Sequence, residues 1–191
     1  MLKINIEVSA RHIHLSQKDV EKLFGRGYEL KKLRDLSQKG EFAVKDKVTV
    51  ESAGGRIDDV RILGPVRPRT QVEISLTDAY KLKINPPIRL SDDLAGSAGI
   101  KVIGPKSSLN LRKGVIVAKR HIHASLADGK KYKIKNNQKV SVLINKGERK
   151  LRFDEVVVRV DKDYSLACHI DTDEGNAAGI VKSVKGVIIT K

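Results

Sequence analysis

Five histidines occur in this 191-residue chain, and all five fall inside repeated segments. Four of them form two His-x-His pairs: His12 and His14 in Arg11-His12-Ile13-His14-Leu15-Ser16, and His121 and His123 in Arg120-His121-Ile122-His123-Ala124-Ser125, an offset of 109. On a β-strand, residues i and i+2 point to the same face. Each pair therefore presents two imidazoles together, while Ile13 and Ile122 turn to the opposite side. A later segment repeats as well. Gln71-Val72-Glu73-Ile74-Ser75-Leu76-Thr77-Asp78 resembles Ala167-Cys168-His169-Ile170-Asp171-Thr172-Asp173, which sets Glu73 in one copy where His169 stands in the other, an offset of 96. Imidazole and carboxylate are first-choice zinc ligands, and three protein ligands with one open position are the pattern of a catalytic site. A single His-x-His on a strand is commonplace. Two copies in register, each with a third ligand-type residue and no histidine elsewhere, predict a metal on His12, His14 and Glu73 and another on His121, His123 and His169. Zinc heads the choice of metal, although cobalt, nickel and iron accept similar donors. If the two halves face each other, the metals lie close together with Glu73 placed to bridge them.

Arginines surround the first ligand set in sequence: Arg61, Arg67 and Arg69 precede Glu73 by 12, 6 and 4 residues. A guanidinium pairs with two phosphate oxygens at once, so an arginine beside a metal suits a phosphate group. Lys31-Lys32 and Lys130-Lys131 read instead as solvated faces. Cys168 adjoins His169, which invites a thiol–imidazole nucleophile. Neighbours on a strand point to opposite faces, however, so Cys168 is expected in the core.

The elements that must carry these residues are mostly short strands. Ile4–Val8, Lys47–Glu51, Val60–Leu63, Val72–Ser75, Gly114–Lys119, Val140–Ile144 and Val156–Val160 show alternation or β-branched runs, punctuated by Gly, Pro and Asp. Helices are few: Gln17–Phe24, with Val20, Leu23 and Phe24 on one face, and Asp78–Leu82, stopped before Pro86-Pro87. Ser16 with Asp19, and Ser125 with Asp128, read as capping boxes that open a short helix after each His-x-His. Lys47-Val48-Thr49-Val50 repeats as Lys139-Val140-Ser141-Val142, and Ile57-Asp58-Asp59-Val60 as Phe153-Asp154-Glu155-Val156. The shrinking offset places an insertion in the first copy, near residues 25–45. Many short strands with turn signals between them predict a mainly β fold of two pseudo-symmetric small β-barrels with short capping helices.

Composition narrows the partners. With 38 Lys and Arg against 23 Asp and Glu the chain carries +15, which favours anionic partners such as nucleic acid, anionic membrane or a nucleotide-like small molecule. Only three Phe, four Tyr and no Trp leave little stacking platform for single-stranded nucleic acid. One cysteine excludes an intramolecular disulfide and suits a reducing compartment. No apolar run approaches the roughly 20 residues that span a bilayer, and no apolar signal-peptide region opens the chain. A cytoplasmic, globular protein that binds neither nucleic acid nor membrane is expected.

Taken together these residues resemble the PduL-type phosphate acyltransferases (phosphotransacylases), which interconvert acyl-CoA and acyl phosphate. The resemblance runs from Val8-Ser9-Ala10-Arg11-His12-Ile13-His14 through Asp35-Leu36-Ser37-Gln38, Gly64-Pro65 with Arg67, Thr70-Gln71-Val72-Glu73 and Arg89-Leu90-Ser91. It continues through Gly114-Val115-Ile116, the second His-x-His and His169-Ile170-Asp171-Thr172-Asp173-Glu174 to Asn176-Ala177-Ala178-Gly179. It implies one barrel from residues 1–10 and 119–191 and another from 11–118, with two zinc ions on the ligand sets named above. It also implies that Arg67 binds phosphate as the catalytic arginine. Val8, Ser9, Ala10, Arg61 and Asn176 take positions that contact CoA, with Leu63 lining the same site. The implied substrates are phosphate and a short acyl-CoA, propanoyl or acetyl, with the choice between them and the oligomeric state left open. Gly54 stands where relatives often carry a lysine, and the first strand begins almost at Met1, leaving no room for an N-terminal microcompartment-targeting helix. The alternatives are a di-metal thioesterase or phosphoesterase and, behind it, a basic nucleic-acid-binding barrel.

Overall fold

The computed structural model describes residues 2–181 and 183–190, and the chain divides into two compact units. One comprises Met1–Ala10, Ser37–Lys39 and Lys119–Lys191; the other comprises Arg11–Leu36 and Gly40–Ala118. In chain order the elements are β1 (Leu2–Val8), β2 (His12–His14), α1 (Gln17–Phe24), β3 (Lys32–Asp35), β4 (Phe42–Glu51), β5 (Arg56–Gly64), β6 (Gln71–Ile74), α2 (Leu76–Leu82) and β7 (Ile88–Arg89). They continue as β8 (Ala98–Ile103), β9 (Ser108–Ala118), β10 (His121–Ala124), α3 (Leu126–Tyr132), β11 (Lys139–Ile144), β12 (Leu151–Val160), β13 (Ala167–Ile170), α4 (Thr172–Ala177) and β14 (Ser183–Ile189). The fold is mainly β, with four short helices, as the strand-rich patterning indicates.

The terminal unit is a closed barrel in the order β1-β13-β10-β12-β11-β14. The central unit closes the same way: β9-β6-β2-β5-β4-β8 form a ring because β8 pairs with both β4 and β9, and β3 and β7 flank it. Position by position the two rings match. In each, the His-x-His strand runs parallel to one neighbour (β5 or β12) and antiparallel to the strand bearing the third ligand (β6 or β13). Strand β1 leads directly into β2, yet pairs in the terminal unit; β9 leads into β10, yet pairs in the central unit. Each barrel thus contains the strand that precedes the other barrel's His-x-His.

Burial follows the strand period. Ile13, Ile62 and Val72 belong to the central core with Leu15, Val20, Leu23 and Phe24, so the apolar face of α1 covers it. Ile4, Ile6, Ile122, Val158, Cys168 and Ile170 belong to the terminal core. The repeated Asp-Asp and Asp-Glu steps are bulges: Asp59 and Glu155 adopt φ of 60° and 58°, and the register of β5 on β4 and of β12 on β11 shifts there in both barrels. Non-glycine residues rarely occupy this region, so an extra residue is accommodated at the same place twice.

Some boundaries differ from the sequence expectation. Ser75 ends β6 as the N-cap of α2, which opens at Leu76. Strand β9 begins at Ser108 and runs through Gly114 (φ 138°), a bend where the turn signal lies; a Cβ there would meet the Thr70 carbonyl at 3.0 Å. The capping reading holds at Ser125 with Asp128, where both reciprocal bonds form. At Ser16 the side chain accepts from the Asp19 N–H and donates to the Asp19 carboxylate.

Candidate active site

In the central unit the antiparallel pairing of β2 with β6 sets His12 directly opposite Glu73. The strand period then brings His14 to the same face, its ring 5.1 Å from that of His12 and perpendicular to it. One ligand atom from each of His12, His14 and Glu73 lies within 4.8 Å of the others, and all three residues are buried. His12 Nε2 stands 3.6 Å from Glu73 Oε2. Burial alone would raise the Glu73 carboxyl, but His12, by charge and hydrogen bond, with His14 and Ser91, holds it well below the usual carboxylate range. Burial, with the charges of His12 and Arg67, pushes His14 well below the usual imidazole range, against the opposing pull of Glu73. A neutral imidazole and an ionised carboxylate are the forms that bind metal. The buried Nδ1 of His14 has no hydrogen-bond partner, a costly state that a metal would relieve. These residues fit a divalent metal.

Arg67 is joined to this cluster. Its Nη1 donates to Ser91 Oγ at 2.9 Å, and Ser91 Oγ donates to Glu73 Oε1 at 2.8 Å. Gln71 Nε2 donates to both Ser91 Oγ, at 2.8 Å, and Glu73 Oε1, at 2.6 Å. The Asp92 N–H in turn donates to Gln71 Oε1. The second arm of Arg67 donates to Glu41 Oε1 at 3.0 Å, and its backbone N–H to the Leu15 carbonyl, one residue beyond the His-x-His. The guanidinium is thereby aimed by the same strands that carry the ligands. Arg69 is directed elsewhere, to the Asp92 carbonyl.

The terminal unit repeats the register: His121 stands opposite His169 in β10–β13. The rings of His121, His123 and His169 lie 4.6, 5.0 and 5.3 Å apart, centroid to centroid. Nδ1 of His121 is 2.8 Å from the Lys119 carbonyl, an acceptor only, so Nδ1 carries a proton, and in a neutral ring the lone pair is on Nε2. This is the arrangement that orients a metal-ligating histidine. Gln38 Nε2 lies 3.4 Å from His169 Nε2 and donates to the Ser165 carbonyl, while Ser165 N–H donates back to Gln38 Oε1. The first-copy insertion thus lends Gln38 to the other barrel. Sequence reasoning assigned no role to Gln38, Ser91, Gln71 or Glu41; the only signal was that Gln38, Gln71 and Ser91 fall within the segments that carry the family resemblance.

The remaining residues divide between the units. Arg61 and Leu63 pair with His12 and His14 across β5–β2, and Arg61 Nη1 donates to the Val44 and Lys45 carbonyls. In the terminal unit Val8 pairs with Ile170, Ser9 N–H donates to the Ile170 carbonyl, Ala10 ends the segment, and Asn176 lies in α4. Val8 also packs on Gly175, where a Cβ would stand 2.7 Å from its Cγ2. Gly54 lies beneath the Lys83 stem, which fills the space that a side chain at 54 would take. Cys168 is fully buried and its thiol is raised by that burial, which excludes a ready thiolate. Among the described residues no helix is long and apolar enough to cross a membrane.

Comparison with known proteins gives the family. The phosphate propanoyltransferase family model matches residues 5–181. A phosphate propanoyltransferase of Thermotoga maritima is 51% identical over 92% of this chain and 83% of its own. Those of Listeria monocytogenes and Clostridioides difficile are 47% and 46% identical over 98% of this chain and 88% and 90% of theirs. With its duplicated barrels and its histidine clusters, this chain belongs to the phosphate propanoyltransferase family.

Proposed function

We propose that this protein transfers a short acyl group between CoA and inorganic phosphate, using two zinc ions, one held by His12, His14 and Glu73 and the other by His121, His123 and His169. The observation that carries this reading is the hydrogen-bonded line from Arg67 through Ser91 to Glu73, which fixes a phosphate-type donor beside a metal-type ligand set. In the reaction a phosphate oxygen forms a bond to the thioester carbonyl carbon, the carbon–sulfur bond breaks, and CoA leaves as thiolate. Bound zinc supplies Lewis acidity toward oxygen and affinity for thiolate sulfur.

The protein's own residues do the rest. Arg67 neutralises and orients the incoming phosphate, a preorganised donor that costs no rearrangement during reaction. Ser91 and Gln71 keep Arg67 and Glu73 in fixed relation. Val8, Ser9, Ala10, Arg61, Leu63 and Asn176 are the residues proposed for CoA, whose phosphates suit the +15 charge of the chain. No acyl-enzyme is required, and the buried Cys168 is no candidate for one. Propanoyl and acetyl differ by one methylene, about 1–3 kcal/mol of discrimination in a fitted pocket.

The test is thiol release from propanoyl-CoA and acetyl-CoA by the zinc-loaded protein, with and without phosphate. Release that requires phosphate supports acyl transfer, and the ratio of rates gives the chain preference. Release that ignores phosphate would make the protein a thioesterase and contradict the proposal.

A further inference from the structure

Each His-x-His is preceded by an arginine, Arg11 or Arg120, and each third ligand is followed five residues later by a carboxylate, Asp78 after Glu73 and Glu174 after His169. The structure joins these residues within each half. Arg11 Nε donates to both Asp78 oxygens at 2.9 Å, and its Nη2 lies 2.7 Å from Oδ1. Arg120 Nη1 lies 2.7 Å from Glu174 Oε1. The same carboxylates close the N-terminal boxes of α2 and α4: Asp78 accepts from Ser75 N–H at 3.4 Å and Glu174 from Asp171 N–H at 3.0 Å. Ser75 and Asp171 are the second residues after Glu73 and His169. Each carboxylate therefore ties the backbone just beyond the third ligand to the arginine just before the first histidine.

We infer that Arg11 and Arg120 are positioning residues, each clamping its His-x-His strand to the segment that bears the third metal ligand of the same half. This rests on the metal reading proposed above. The β2–β6 ladder pairs His14 with Gln71, Ile13 with Val72 and His12 with Glu73, and goes no further. The β10–β13 ladder likewise ends at His121 with His169. The outermost pair of each short ladder is thus a ligand pair, at the end where fraying starts. The arginine clamp begins at the next residue. A slip of one residue would turn both imidazoles to the opposite face. The central-unit pair is not an ordinary surface bridge, because its Asp78 side chain is 4% exposed and a desolvated carboxylate of that kind is held by its partners; the Arg120–Glu174 pair is partly exposed. Arg120 also anchors its strand to β12 by donating from Nε to the Asp154 carbonyl.

The experiment is zinc affinity measured by competition with a chromophoric chelator, with cobalt spectra reporting ligand geometry. His14→Ala and His123→Ala identify which half each binding step belongs to. Arg11→Met is expected to weaken only the central-unit site, about 10-fold, as removal of a group supporting a metal ligand does. It should also alter that site's cobalt spectrum and leave the terminal-unit site unchanged, while the melting temperature of the metal-free protein falls because the buried Asp78 loses its partner. Arg120→Met is expected to do the reverse. Arg11→Lys, which keeps the charge and loses the fork, should recover only part of the affinity, and it carries the comparison should Arg11→Met fail to fold. Unchanged affinity at both sites would overturn the inference. So would equal loss at both sites, since that is general destabilisation. Wild-type protein that takes up no metal would overturn the metal reading itself and this inference with it, so the wild-type titration tells the two failures apart.

Discussion

The central and terminal barrels share a scaffold and differ at the residue opposite the first histidine, Glu73 in one and His169 in the other. Both set the third ligand opposite the first histidine, both carry a bulge at the same step, and both place a capped helix after each ligand strand. The central unit has Glu73 and gathers Ser91, Gln71 and Arg67 around it; the terminal unit has His169, with Gln38 nearby. The offset that aligns Glu73 with His169 sets Asp163 at the place of Arg67. A carboxylate ligand can accept hydrogen bonds from outside the metal shell, and an arginine can be built onto it; an imidazole ligand offers no such acceptor. Duplication explains the positions of the ligands. The difference at the third position, Glu73 against His169, accompanies the Arg67–Ser91 line in the central unit.

The comparison can be broken at its asymmetric residues. Arg67→Ala is expected to lower phosphate-dependent turnover by about 10²- to 10³-fold, the usual cost of a preorganised charged donor, with zinc content intact. Steady-state rates and metal analysis check it, and unchanged turnover would remove Arg67 from the chemistry. Ser91→Ala is expected to weaken zinc at the central-unit ligands about 10-fold and leave the terminal-unit ligands untouched, read by chelator competition. Equal weakening in both halves would deny that Ser91 serves Glu73. The smallest effect is expected where the halves are interchangeable. Cys168 occupies the place of Val72, so Cys168→Val should shift stability by less than about 1.5 kcal/mol in denaturant unfolding, with turnover unchanged. A large loss of turnover would restore the thiol as a reacting group.

How much of this was legible in the sequence follows from range. The strand period is a local signal and the repeat recurs in the same order in both halves, so the β-rich class, the barrels and the helix after each His-x-His could be read directly. Strand β8, with its Gly99 and no matched repeat, gave no such signal, although it closes the central barrel. Strand β3, Lys32–Asp35, is exposed throughout and shows no apolar alternation. Apart from Arg67, the surroundings of the ligands were legible only as members of the segments that carry the family resemblance. Ser91 meets Glu73 from a loop 18 residues away, and Gln38 meets His169 across 131 residues; loop side chains of this kind leave no periodic trace. Neither does the role of Asp78 and Glu174, which shows only where the structure joins them to Arg11 and Arg120.

The central claim is that each half holds its own metal. Zinc counted per chain by elemental analysis after equilibration and desalting tests it directly, in wild type, His14→Ala, His123→Ala and the double variant. The account predicts two, one, one and none. A single zinc in wild type that either substitution removes would contradict it.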